Sequence, residues 1–277
     1  VYCSGQIFYK YNNIWIHDKE LIKSSLRVLV LDMPLHKELQ QGTIVTYAGD
    51  LNNAEKIVKI ILDYTKVNRI DEAFYSKFHT STTGKLCFKD GILDFQKKCF
   101  YLWEDVDFEY YSPIMINRPF AEVFENRASN MDVNNVKVKV FNELFEEKSE
   151  LAIQFFARGV AGHYEDKDWG RYMGNRNSGK GVFGEIAQNA LEKYCTTIDA
   201  GHFLAERNTA DGDQAKKNSW MIPLQFNRIA LTQEMKFDNE NRNVKIDSVT
   251  IKKFASGGDK LEGRLNYENE IYFNIDA

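Results

Sequence analysis

The chain has 277 residues, of which 43% are hydrophobic, 13% aromatic and 27% charged, a composition that excludes a wholly disordered or collagen-like protein. Its formal net charge is −4, so no global basic field exists to hold nucleic acid non-specifically, and any such contact is expected at a local cluster of cations. No apolar stretch reaches the ~18 residues that a membrane span needs, and no secretory signal is visible, so we expect a protein that is neither membrane-bound nor secreted.

The first part of the chain predicts a mixed α+β domain. Residues 5–18 alternate apolar and polar side chains about Asn12–Asn13, which is typical of a β-hairpin whose aromatic residues pack in a core. Apolar residues then recur at helical spacing over 19–31 and over 52–78, the latter as one or two helices. Residues 85–103 predict strands paired about polar turns.

Composition changes after a loop that contains Pro113 and Pro119, and we therefore place a domain boundary near residue 120. Residues 1–120 form the predicted α+β domain, and residues 121–277 an α/β nucleotide-binding core with a helical preface. In the second part the pattern predicts a helix from about Val136, a short strand at 168–174, a helix at 181–194 and a β-type run at 227–235.

The most informative stretch is a phosphate-binding loop between the predicted strand and the predicted helix. It fits the pattern G-x-x-x-x-G-K, in which glycines let backbone N–H groups turn toward phosphate oxygens, and the helix N-terminus adds partial positive charge. The pattern alone arises by chance in roughly one chain in fourteen of this length, so its setting between strand and helix matters. The predicted ATP-binding residues are Gly174, Asn175, Arg176, Asn177, Ser178, Gly179, Lys180 and Gly181, with Lys180 on the β- and γ-phosphates.

The predicted magnesium site departs from the usual P-loop arrangement at two positions. The residue after the lysine is ordinarily Ser or Thr, whose hydroxyl binds Mg²⁺, but here it is Gly181. Glu234, at the end of the 227–235 run, is the candidate catalytic acid, which binds Mg²⁺ through water or orients the attacking water. Its neighbour Gln233 is no anionic ligand, so the sequence leaves open whether hydrolysis is weakened.

The cations around a glycine turn near the C-terminus are the best local candidate for contact with the phosphate backbone of a nucleic acid. Four cations lie within thirteen residues around this turn, although a solvent-exposed turn between a helix and a strand would show the same pattern. The predicted DNA-binding residues are Lys252, Lys253, Lys260 and Arg264, and the loop between them is Gly257, Gly258 and Asp259.

These three motifs in this order resemble a superfamily 3 helicase, with the poxvirus-type primase–helicase family of large DNA viruses, phages and plasmids as the nearest likeness. The resemblance covers roughly 150–277 well and extends weakly to 85–150. It implies an AAA+-related P-loop core, here truncated at its C-terminus and preceded by an α+β pre-helicase domain. In such a family the lysines and the glycine loop border a DNA channel.

The resemblance also implies cofactors and partners. These are ATP and Mg²⁺, single-stranded or forked DNA, further copies of the chain in a hexameric ring, and a primase domain upstream, in the host cytoplasm or at a viral replication site. The family's polar sensor and arginine finger would lie beyond Ala277, so the chain is expected to bind nucleotide better than it hydrolyses it. Two alternatives stay open: a non-hydrolysing P-loop scaffold that binds nucleotide or DNA, and a different P-loop enzyme such as a kinase or packaging ATPase.

Overall fold

The computed structural model describes residues 1–33, 35–39, 42–47, 50–127, 131–165, 167–175, 178–204, 213–232, 246–257, 259–266 and 268–275. The chain has mixed α/β secondary structure and divides into two compact units, Val1–Lys77 and Phe78–Ala277. This division falls earlier than the predicted boundary near residue 120. The prediction that residues 1–120 act as a pre-helicase domain remains a prediction.

The first unit consists of short antiparallel strand pairs and helices. Its strands are β1 (Tyr2–Cys3), β2 (Gln6–Ile7), β3 (Tyr9–Tyr11), β4 (Ile14–Ile16), β5 (His36–Glu38) and β6 (Ile44–Thr46). They pair as β1–β2, β3–β4 and β5–β6. Its helices are α1 (Lys19–Asp32) and α2 (Leu51–Asn68), and the division between the units falls inside α3 (Phe74–Thr82). The range 52–78 therefore forms two helices rather than one.

The core of the first unit follows from the predicted hairpin and helix patterns. The β3–β4 hairpin turns at Asn12, whose φ of 52° suits an asparagine. Phe8 is fully buried and stacks on Phe74 at 4.1 Å between ring centroids, which confirms a core role for this aromatic residue. Asp18 begins α1 by accepting a hydrogen bond from the N–H group of Leu21.

The second unit carries an antiparallel sheet, a helical segment, a parallel strand pair and a final hairpin. The antiparallel sheet is β7 (Lys85–Cys87), β8 (Gly91–Asp94) and β9 (Cys99–Leu102). The helices that follow are α4 (Ala121–Asn126), α5 (Met131–Val136), a π-helical stretch (Lys137–Asn142), α6 (Glu143–Phe145) and α7 (Ser149–Val160). The remaining elements are α8 (Lys180–Leu191), β10 (Cys195–Ile198), α9 (Gln214–Lys217), β11 (Ile229–Thr232), α10 (Ser248–Ala255), β12 (Leu261–Gly263) and β13 (Ile271–Phe273).

The loop at 112–119 is packed against structure on both sides of it, which explains why no division falls there. The N–H group of Ile116 donates to the Cys87 carbonyl, 2.9 Å away, beside the antiparallel sheet. The Tyr194 hydroxyl, after α8, donates to the Ile114 carbonyl at 3.2 Å and accepts from the Cys87 N–H group at 3.3 Å. A composition change thus marks a tightly packed connection rather than an exposed linker.

The predicted strand at 168–174 is wrong. The structure forms no strand there; instead the Tyr172 ring lies 5.1 Å from Phe145 and 6.2 Å from Phe183. Trp169 and Met173 are 55% and 78% exposed, so no sheet face buries these two side chains. Among the described residues, no helix combines the length and the apolar character that crossing a bilayer demands.

Candidate nucleotide-binding site

Lys180 is the first residue of α8, and its side chain folds back over the predicted phosphate loop. The ammonium donates to the carbonyl oxygens of Gly174 and Asn175 and to the Ser178 hydroxyl, each at 2.9 Å. A cation held by backbone carbonyls at a helix N-terminus is a suitable partner for a phosphate, because both the ammonium and the helix favour an anion. Arg176 and Asn177 of the predicted loop lie outside the described residues.

One of the two motif glycines stands where a side chain would not fit. Gly179 has φ +83° and caps the start of α8, and a Cβ there would lie 2.4 Å from Leu144 Cδ2. A Cβ at Gly174 would lie 2.9 Å from the Ser178 hydroxyl and 3.5 Å from Lys180 Nζ. The position of Gly179 therefore requires glycine, whereas a side chain at Gly174 would displace the Ser178 hydroxyl, which is the end of a short, movable side chain.

The helices that precede the predicted phosphate loop in the chain pack against α8. Phe141, Phe145 and Phe156 contact the Phe183 ring at 5.7, 5.5 and 5.4 Å between centroids. At its other end, α8 is capped by the Arg118 side chain, which donates to the Asn189 carbonyl at 3.1 Å. Of the apolar face predicted for this helix, Phe183, Ala187 and Leu191 are buried, whereas Ile186 and Ala190 are exposed.

The start of α8 lies at the carboxyl edge of a parallel strand pair. β10 and β11 pair in register from Cys195↔Ile229 to Ile198↔Thr232. The chain reverses between α8 and β10, and Gln188 donates a hydrogen bond to Thr197, so the helix runs antiparallel to the strand. The N-terminus of α8 and the carboxyl ends of both strands therefore share one edge, where α/β sheets bind their ligands.

The predicted acid follows β11 in the sequence. Thr232 ends β11, and Gln233 and Glu234 follow it but lie outside the described residues. The predicted roles of Glu234 in catalysis and in magnesium binding therefore stay predictions. The sequence did predict β11, yet it missed β10, whose Cys-Thr-Thr-Ile run is too short and too polar to stand out.

The position after Lys180 has room for the side chain that the motif normally carries. A Cβ built at Gly181 meets no atom within 4 Å. The nearby Ser178 hydroxyl already accepts a hydrogen bond from Lys180. Among the described loop residues, no second hydroxyl therefore stands beside Lys180 for a magnesium ion.

The predicted glycine loop follows α10 and contacts the segment that leads toward the phosphate loop. Gly257 has φ +55°, and a Cβ there would lie 2.0 Å from Tyr164 Cδ2. The Tyr164 hydroxyl in turn lies 3.0 Å from His79 Nε2. Burial lowers the pKa of His79, so near neutral pH its imidazole is neutral and can share this hydrogen bond. Gly258 lies outside the described residues.

The four predicted DNA-binding cations differ in their surroundings. Lys252 and Lys253 occupy the last turn of α10, where cations also stabilise the helix dipole. Lys260 Nζ lies 4.9 Å from the centroid of the Tyr272 ring. Arg264 pairs with the Asp213 carboxylate, so its charge is partly compensated within the fold. Asp259 is exposed.

Sequence reasoning missed the residue that joins α7 to the strand pair. Arg228, only 5% exposed, donates to the Val160 carbonyl at 2.7 Å and to the Thr82 carbonyl at 2.8 Å. A Cβ at Gly162 would lie 3.2 Å from its guanidinium. An arginine directly before a β-branched run is the only local signal, and it does not reveal these distant partners.

Comparison with known proteins gives one informative likeness. No protein-family model matches the chain. "Putative helicase V13" of the Sputnik virophage is 27% identical over 285 aligned residues, covering 97% of this chain and 34% of that protein. The chain therefore spans about one third of the length of the curated relative it matches. The likeness supports a helicase-like relationship for a mixed α/β protein.

Proposed function

We propose that the chain contains the ATPase core of an ATP-dependent DNA helicase of the superfamily 3, poxvirus-type primase–helicase family. The observation that carries the proposal is the pair of hydrogen bonds that Lys180 donates to the loop carbonyls. Lys180 lies at the N-terminus of α8, next to the carboxyl edge of β10 and β11. The likeness to a virophage protein with a helicase name supports the same conclusion. The alternatives of a kinase or a packaging ATPase have no comparable support from a similar protein.

In the proposed site the residues bind and orient the nucleotide. Lys180 exchanges its loop carbonyls for the β- and γ-phosphates. If the loop is a P-loop, its backbone N–H groups would bind the phosphate oxygens beside Lys180. Bound Mg²⁺ neutralises phosphate charge during hydrolysis. Glu234, following β11, orients the attacking water or binds the metal through water.

The glycine loop would couple this site to DNA. Its lysines lie on α10, and Gly257 contacts Tyr164, which belongs to the stretch between α7 and the phosphate loop. A change in the phosphate loop would therefore move the lysine-bearing element through this contact. We propose single-stranded or forked DNA as the partner, a hexameric ring of copies as the assembly, and a primase domain as a neighbour in the same replication protein.

A second function, a nucleotide-binding scaffold that does not hydrolyse ATP, is favoured by one observation. Gly181 provides no hydroxyl for magnesium, although its surroundings leave space for one. The two functions share the phosphate loop and differ in turnover alone. Measuring bound ATP and released phosphate on the same sample distinguishes the two functions.

The test is the ATPase rate of the chain with and without single-stranded DNA. The helicase proposal expects DNA to stimulate phosphate release, and Lys180→Ala to abolish the stimulated rate. Lys193→Ala is the matched control, because Lys193 is an exposed lysine just past the far end of α8 and should retain the rate. ATP binding without turnover would favour the scaffold, and a DNA-stimulated rate that is the same in Lys180→Ala as in the unaltered chain would overturn both functions.

A further inference from the structure

Three flat rings stack beside the carboxyl edge of the strand pair. His202, in the 3₁₀ turn Ala200–Phe203 after β10, lies 4.3 Å from the Trp220 ring with an interplanar angle of 1°. Trp220 lies 6.1 Å from Phe254 of α10 at an interplanar angle of 11°. We name His202, Trp220 and Phe254 the ring stack.

The ring stack rests on a buried base. Phe203 meets both Trp220 and Phe254 edge-on, at 5.7 Å and 85° in each case. Phe203 is buried in a core cluster with Ile198 of β10, against which the Trp220 and Phe254 side chains pack. The N–H group of Asp247, which caps α10, also donates to the Phe203 carbonyl at 2.8 Å. The stack is thus fixed to β10 and α10 together.

The outermost ring of the stack is open to solvent. His202 is exposed, although one face of its imidazole lies parallel on the Trp220 indole. Among the described residues, His202 has no ring contact other than Trp220, so the opposite face of its imidazole can receive another flat ring. Side-chain rings that present a face in this way bind nucleobases by stacking, without a strong preference for sequence.

Cations on the helices around the ring stack favour a polyanion over a neutral aromatic ligand. Lys252, which is exposed, and Lys253 lie on α10 within two residues of Phe254. Exposed Lys216 and Lys217 end α9, just before the 3₁₀ helix that holds Trp220. The nearby acids Asp199, Asp213 and Asp247 cap the turn that holds His202, helix α9 and helix α10, respectively. Stacking rings with flanking cations are the combination that single-stranded nucleic acid requires.

We propose that the ring stack is a nucleobase-stacking site for single-stranded nucleic acid, with His202 as the ring on which the base lies. This inference rests on the proposed function, which places DNA at the α10 lysines, and adds a second element to that contact. It also places the base contact on the segment that follows β10, next to the nucleotide edge.

The test compares the affinity of the chain for a fluorescein-labelled oligothymidylate by fluorescence anisotropy. His202→Ala should raise Kd by about 5- to 150-fold, the range that corresponds to losing one base–aromatic stack. His202→Phe retains a flat ring and should stay within a few-fold of the unaltered chain. His36→Ala, which removes an exposed imidazole from β5, is the matched control and should leave Kd unchanged.

ATP binding by the same variants distinguishes a strand base from the base of a mononucleotide. The inference expects His202→Ala to bind ATP as the unaltered chain does. Oligonucleotide affinity that is unchanged in His202→Ala, or a loss confined to ATP, overturns it. Absence of oligonucleotide binding by the unaltered chain overturns it together with the proposed DNA partner. A failed ATPase test with Lys180→Ala overturns the proposed function and leaves the result on His202 standing.

Discussion

The open space at Gly181 makes a gain-of-function substitution the most informative change in the loop. Gly181 is the second residue of α8, and a Cβ there meets no atom within 4 Å. Gly181→Ser should therefore add a hydroxyl beside Lys180 without displacing the fold. If the loop is a P-loop, that hydroxyl stands where the motif places a magnesium ligand.

The magnitude follows from helix propensity, since no contact is lost. Replacing glycine by serine within a helix should raise the free energy of unfolding by up to about 0.5 kcal/mol, and replacing it by alanine by up to about 1 kcal/mol. Gly181→Ala is the matched control, because it makes the backbone change without the hydroxyl. Both variants should melt at or slightly above the temperature of the unaltered chain.

The assay is the dependence of ATP affinity and of phosphate release on Mg²⁺ concentration, alongside thermal unfolding. Gly181→Ser should reach half-maximal effect at a lower Mg²⁺ concentration than Gly181→Ala, and it should hydrolyse ATP faster. A serine variant that matches the alanine variant in both respects would refute the assignment of Gly181 to the metal position. A marked loss of stability in either variant would contradict the open space that the structure shows.

Three further predictions concern residues around the site. Gly257→Ala should lower the free energy of unfolding by at least about 1 kcal/mol, because alanine is unfavourable at positive φ and its Cβ would strike the Tyr164 ring; chemical denaturation measures this. Arg228→Met should cost about 2 kcal/mol or more, because the buried Thr82 carbonyl and the half-buried Val160 carbonyl lose their donor, and a variant as stable as the unaltered chain would contradict the structure. Burial raises the pKa of the Cys195 thiol to about 11, so iodoacetamide at pH 8 should label it far more slowly in the folded than in the urea-unfolded chain. The Cys195 thiol loses its proton at a lower pH in the unfolded chain than in the folded one. Burial of the neutral thiol therefore contributes fully to the free energy of unfolding below about pH 9, and this contribution falls as the pH rises toward 11. Cys195→Ala should remove this pH dependence.

Local patterns predicted the elements whose side chains have a regular spacing. The β3–β4 hairpin, α1, α8 and β11 are all present near their predicted positions, because each has a turn residue, a cap or a buried stripe in its own sequence. The predicted strand at 168–174 is wrong because it has no partner strand among the described residues. A strand needs a neighbouring strand to pair with, and a short local sequence carries no information about its neighbours.

The contacts that shape the candidate site join residues far apart in the chain. Gly257 against Tyr164 and Arg228 against the Thr82 carbonyl are examples, as is His202 on Trp220. Each partner alone is an ordinary glycine, arginine or histidine in the sequence. The predicted phosphate loop differs from these contacts, because the groups expected to bind phosphate belong to one short run of the chain ending in Lys180.

The measurement that tests the central claim most directly is ATP binding to the chain by calorimetric titration, for the unaltered protein, Lys180→Ala and Lys193→Ala. If Lys180 and its loop hold the triphosphate, the unaltered chain and the Lys193 variant should bind ATP with the same Kd, and binding should be lost in Lys180→Ala. Equal ATP affinity in all three proteins would contradict the assignment of residues 174–181 as a phosphate-binding loop.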